Sequence, residues 1–281
     1  MIKTSIAIAL LAAAVAARAD FLPANEYFVG VDARQTVPSG DYAGLVNPNY
    51  NRLTFLYGHQ YDGSGAAAPS TSHFHAKTVL GYFGPAASPT VVNPTGNFLP
   101  ETTGLSLQLL PGSGGFAGRY VSGGTPDAPF ANLTVRPVSW LNRPGAAAWE
   151  TATFNSGGTT PVGRWTGSLG ASSLALEIVG LTSGLSLLNP NGSVAADAAG
   201  QSLALGSGDF ATSLIFGVDG AAPVGSAYTA QFRLRDLSGA FGDSGVFEYR
   251  LQTAPAPVPE PATLAVVGLG AFGLLRRRKR A

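Results

Sequence analysis

Turn-forming residues interrupt this chain throughout its length: 37 glycines and 20 prolines stand among 281 residues. Proline breaks helix interiors and central strand ladders, and glycine weakens both, so short elements joined by turns are favoured. Between the turns, apolar and polar residues alternate. Leu53, Phe55, Tyr57 and His59 share one face of such a run, as do Leu105, Leu107 and Leu109, and again Leu174, Leu176 and Ile178. Tyr228, Ala230, Phe232 and Leu234 point one way while Gln231, Arg233 and Arg235 point the other. Phe247, Tyr249 and Leu251 repeat the pattern beside Val246, Glu248 and Arg250. A two-residue period is the signature of half-buried strands, and no long run between residues 20 and 258 keeps the 3.6-residue period of a helix. The expected fold is all-β: an antiparallel sandwich over residues 20–252, jelly-roll-like or made of two small β units divided near residues 157–162.

Both ends read as address labels. Lys3 supplies a positive start, Ile6 to Ala16 an apolar stretch, and Ala17-Arg18-Ala19 a cleavage site before Asp20. Residues 1–19 are therefore expected to be a signal peptide removed by signal peptidase. Near the other end, residues 253–258 form a Pro/Ala-rich stalk. Residues 259–281 then bring Pro259-Glu260-Pro261, an apolar stretch from Ala262 to Leu275, and the cluster Arg276-Arg277-Arg278-Lys279-Arg280. This order of polar triplet, apolar segment and terminal cations resembles the PEP-CTERM sorting signal of Gram-negative bacteria. The resemblance implies export, transient residence in the inner membrane, cleavage near the motif by an exosortase, and release to the cell surface. As a helix, residues 262–275 would reach roughly 21 Å, short of the ~30 Å hydrocarbon core. Snorkelling cations lengthen that reach, and the positive-inside rule keeps them cytoplasmic. Gly268, Gly270 and Gly273 weaken the single hydrophobic sorting helix, which suits a transmembrane stop better than a permanent anchor.

The two ends also hold the positive excess. Of 17 basic side chains, seven lie in the signals, which leaves residues 20–258 with 10 basic against 15 acidic groups, a net charge near −5. Such a domain has no electrostatic footprint for nucleic acid. Cysteine is absent and Met1 is the single methionine, so disulfides, thiolate sites and thioether ligands are excluded. Any metal must be held by imidazole, carboxylate, carbonyl or water. Neither an HExxH pair nor a GxSxG elbow occurs, and the chain reads as non-catalytic. Asp236 and Asp243 share one loop without EF-hand spacing, which reads as a hairpin connection.

The three histidines, His59, His73 and His75, all fall within 17 residues. On a strand, His73 and His75 project from one face while Phe74 points to the other. His59 closes the preceding strand, and the Gly/Ala/Ser/Pro-rich connector between them reads as a hairpin loop. Paired strands would bring three imidazoles together, a donor set suited to Zn²⁺, with a fourth position open to water or Asp62. Solvated strand ends, or aromatic packing with Tyr57, Tyr61 and Phe74, are the competing reading. Lys77 on the same face disfavours a cation unless it points away or pairs with Asp62.

The runs Tyr27-Phe28-Val29-Gly30-Val31-Asp32, Pro38-Ser39-Gly40-Asp41-Tyr42-Ala43-Gly44-Leu45, Asn47 to His59 and Ser72-His73-Phe74-His75 resemble a family of Zur-repressed PEP-CTERM proteins. That resemblance implies production under zinc starvation, with His59, His73 and His75 as candidate ligands. The expected molecule is an exported surface protein that binds Zn²⁺ through three histidines. One alternative is a structural or adhesive component of the extracellular polysaccharide matrix. Another is a zinc-dependent hydrolase using Asp32, Asp62 or Glu101 as base.

Overall fold

The alternating runs fold as strands. A computed structural model describes residues 26–59, 72–101, 104–122, 133–156, 164–165 and 168–255. Ala17, Ala19 and Asp20 at the expected signal cleavage, Asp62, and the motif residues Pro259, Glu260, Pro261, Arg276, Arg277 and Arg278 lie outside this set. Strands β1 (Glu26–Val31), β2 (Leu53–His59) and β3 (His73–Ala76) come first, then β4 (Gly81–Phe83), β5 (Thr90–Val92) and β6 (Phe98–Leu99). β7 (Leu107–Pro111), β8 (Arg119–Val121) and β9 (Thr134–Pro137) precede helix α1 (Ala148–Asn155). The second half supplies β10 (Ser173–Leu181), β11 (Ser186–Leu188), β12 (Val194–Ala196), β13 (Ser202–Ser207) and β14 (Thr212–Ser213). β15 (Ile215–Asp219), β16 (Ala227–Asp236) and β17 (Val246–Thr253) complete it.

The larger sheet runs β12-β11-β15-β8-β7-β17-β16-β10-β13, with β6 also paired to β17. It curls until β12 comes against β13, so the β-rich expectation holds but the sheet is a nearly closed barrel rather than one flat layer of a sandwich. A smaller sheet, β14-β9-β1-β2-β3, packs on the barrel. Strands from both sides of residues 157–162 pair within each sheet: β9 with β14, and β6 and β7 with β17.

One apolar core joins the sheets. Tyr27, Val29, Phe55 and Tyr57 from the smaller sheet meet Phe216, Phe232, Phe247 and Tyr249 from the larger one. Phe55 stacks on Phe247 with ring centroids 4.3 Å apart, geometry that contributes beyond area burial. The outward positions of β10, β16 and β17 carry Glu177, Arg233, Gln231 and Glu248, cross-linked as Arg233–Glu177 at 2.9 Å and Gln231–Glu248 at 3.1 Å.

β1 and β2 are covered on both faces. Phe28 and Leu56 point away from the barrel into a second cluster with Val138, Leu141 and Trp165, flanked by Phe74, Trp140, Trp149 and Phe154. Trp165 comes so close to Gly30 that a Cβ there would sit 2.9 Å from the Trp165 carbonyl oxygen. The tryptophans thus serve packing. α1 is the element that alternation did not anticipate, and it lies over this second cluster. At the C-terminal end, Thr253 is buried within β17 and the Ala254 amide donates to the Leu109 carbonyl. β17 thus includes Thr253, the first residue after position 252.

Candidate functional site

β2 and β3 pair antiparallel, with His59 opposite His73 and Tyr57 opposite His75. Directly opposed residues share a sheet face, so the hairpin sets positions 59, 73 and 75 side by side. β3 is an edge strand; His73 is exposed and His75 is about one-third exposed. Phe74 turns to the other face, where its ring meets Phe28 edge-on at 5.8 Å.

The two described imidazoles converge, with Nε2 of His73 and Nε2 of His75 2.7 Å apart. Nδ1 of His75 lies 2.5 Å from Oε2 of Glu101, and Nζ of Lys77 lies 2.7 Å from its Oε1. Burial alone would raise the Glu101 pKa, but the contacts and charges of His75 and Lys77 outweigh it and lower the value to about 2. Glu101 is therefore ionised at neutral pH and only accepts, so Nδ1 of His75 carries the proton between them. In a neutral ring that leaves Nε2 with its lone pair directed at His73. Lys77 is occupied by Glu101 and does not stand alone beside the histidines.

Glu101 reaches the site through remote pairing. β6 runs parallel to β17 with Leu99 opposite Tyr249, and Glu101 follows two residues later. Sequence alone offered Glu101 as a possible base; the alternation rule could not place it on His75, because the link passes through a strand pair whose partners are 150 residues apart.

Other candidates are employed elsewhere. Asp32 is fully buried and is held by Arg164, by Asn47 Nδ2 at 2.9 Å and by the Arg34 amide at 3.0 Å. It lies at the opposite end of β1 from Tyr27. Asp236 accepts from the Ser238, Ala240 and Phe241 amides, as a hairpin loop requires, and Asp243 faces Arg235 at 3.3 Å. Among the described residues no three His or carboxylate side chains form a group able to hold a metal ion.

The lowered pKa of Glu101 carries a stability prediction for the metal-free protein. A depressed carboxylate pKa contributes stability above the unfolded value, about 4.5, and loses it as pH falls towards 2. The gap in urea midpoint between wild type and Glu101→Gln should stay constant above about pH 5.5 and close as the pH approaches 2.

Histidines on a sheet edge do not say where the molecule works; the C-terminus does. That end carries a sorting motif, which supports export, a membrane-associated C-terminal sorting signal and exosortase processing. Residues 257–280 match the family model of the PEP-CTERM protein-sorting motif. No curated protein and no solved structure shows detectable similarity to the chain. Among the described residues no helix is long and apolar enough to cross a membrane.

Proposed function

We propose that this exported, exosortase-sorted protein binds Zn²⁺ at the cell surface through His59, His73 and His75 when zinc is scarce, without catalysing a reaction. The supporting observation is the pair of imidazoles whose Nε2 atoms face each other at 2.7 Å while Glu101 holds Nδ1 of His75. Two nitrogens bound to one tetrahedral Zn²⁺ at about 2.0–2.1 Å stand roughly 3.3 Å apart, so the pair needs to open by only about 0.6 Å. A carboxylate on the far nitrogen fixes the tautomer and raises ligand basicity, the usual support for a zinc-bound imidazole. Neutral imidazoles without thiolates or thioethers favour Zn²⁺ over Cu⁺. The resemblance to Zur-repressed PEP-CTERM proteins points to the same metal.

The experiment is a calorimetric Zn²⁺ titration of the purified chain beside its Glu101→Gln variant. The variant is expected to bind about 10–100-fold more weakly, because the amide keeps the shape but not the charge that orients His75. A wild-type chain that gives no heat with Zn²⁺ would leave the matrix-component reading in place of this one.

A further inference from the structure

Among the described residues, the buried side-chain hydroxyls of Tyr27 and Tyr249 lack a hydrogen-bond partner. The two hydroxyls sit on side chains 0% and 1% exposed. Nearby, Oε1 of Glu101 is ion-paired with the Lys77 ammonium at 2.7 Å and has a second lone pair to offer another donor. A column of rings links the two hydroxyls to the histidines. Tyr249 meets Tyr27 edge-on at 6.1 Å, Tyr27 meets Tyr57 at 5.7 Å, and Tyr57 meets His75 at 6.2 Å. Burial pushes the Tyr27 hydroxyl pKa well above its ordinary value, and Tyr249, Tyr57 and Glu101 push it further, as groups around one interior volume would.

The distribution of residue types carries the argument. Elsewhere the same core is filled by Phe55, Phe216, Phe232 and Phe247, so aromatic bulk alone does not call for a hydroxyl. The hydroxyls fall on Tyr27, opposite Tyr57, which in turn faces His75, and on Tyr249, opposite Leu99, two residues before Glu101. A buried phenol without a partner is destabilising, whereas a buried water that makes about three hydrogen bonds can satisfy several such groups together.

We propose that Tyr27, Tyr249 and Glu101 bound a small internal hydration site beneath His75, and that its ordered water connects both phenols to the carboxylate that orients the imidazole. Water suits the donor set because it can donate to Oε1 and exchange hydrogen bonds with both hydroxyls. Tyr27 and Tyr249 are then positioning residues for His75. The hydration site stands on the two orphaned hydroxyls and the ring column that joins them to His75; only its influence on metal affinity rests on the zinc reading.

The test uses the full chain in its metal-free state, with Tyr27→Phe, Tyr249→Phe and the double variant. Each single change keeps the ring and deletes one hydroxyl. If water is held there, each lowers Tm by about 2–4 °C, and the double variant falls by less than the summed shifts because both act on one network. Phenolic protons of Tyr27 and Tyr249 should also be visible by NMR, with cross-peaks to internal water. Unchanged or raised Tm in both single variants, with no such cross-peaks, would overturn the proposal, since a dry orphan hydroxyl is better removed. A wild-type chain that binds no Zn²⁺ while the Tm losses persist would retire the metal reading and keep the hydration site.

Discussion

Replacing His73 and His75 together with alanine is expected to weaken Zn²⁺ binding by more than about 100-fold, the largest functional effect available in this molecule. Loss of an orienting carboxylate alone costs about 10–100-fold, and the double variant removes two proposed ligands outright. Stability should hardly change. His73 is exposed on an edge strand, and Lys77 still neutralises Glu101 once His75 is gone. Exposed substitutions of this kind usually fall within about 0.5 kcal/mol. His59→Ala completes the set: backbone register puts position 59 opposite 73, and a third imidazole predicts a further loss of more than about tenfold. Competition against a chromophoric chelator reads all three affinities. Wild-type affinity in the double variant, with an unchanged urea midpoint, would end the case for a histidine site.

How far this site could be read in advance depends on the range of the contacts. Alternation within the β2–β3 hairpin is local, so the shared face of His73 and His75 and the opposite facing of Phe74 follow from the period of two. Glu101 depends on β6 joining β17, a pairing between distant segments that no local pattern encodes. The segment Asn47-Pro48-Asn49 shows the same limit. It forms a turn, closed by the Tyr50 amide on the Asn47 carbonyl, but it is also a buried polar hub. Asn47 Nδ2 donates to Asp32 and to the Arg34 carbonyl, while Asn49 exchanges hydrogen bonds with the backbone of Leu80. Helix α1 escaped for another reason. Its covered side includes Glu150, paired with Arg143 at 2.8 Å, and Thr153, which donates to the Trp149 carbonyl. A helix whose buried face is half polar leaves no apolar stripe to detect. The barrel-like closure rests on contact between β12 and β13, whose short Ala- and Gly-containing sequences carry little signal of their own.

The largest stability effect should come from Arg164→Ala, at about 3–5 kcal/mol, through the carboxylate it leaves behind rather than the contact it removes. Asp32 is 0% exposed, and Arg164 engages both of its oxygens, with Nε at 3.0 Å from each. The Ala33 amide donates to the Arg164 carbonyl at 3.1 Å, and Trp165 closes over Gly30. One short segment therefore clamps the end of β1 by charge, backbone and packing together. Without the guanidinium, the Asn47 amide and the Arg34 amide still donate to Asp32, but the cation that pairs with both of its oxygens is gone. Arg164→Lys should lose an intermediate amount, because an ammonium cannot reproduce the planar fork. Asp32→Asn combined with Arg164→Met should recover part of the loss, since neither partner then leaves a buried charge unpaired. Urea unfolding at neutral pH gives the ranking as shifts in midpoint at constant slope. This clamp and the histidines lie at opposite ends of β1–β2, where Val31 pairs with Leu53 and Tyr27 with Tyr57, roughly 13–17 Å apart along the strand. Arg164→Ala should accordingly lower the urea midpoint and keep Zn²⁺ affinity, while the double histidine variant does the reverse. An Arg164→Ala protein that unfolds at the wild-type midpoint would show that Asp32 draws its compensation from Asn47 and the backbone alone.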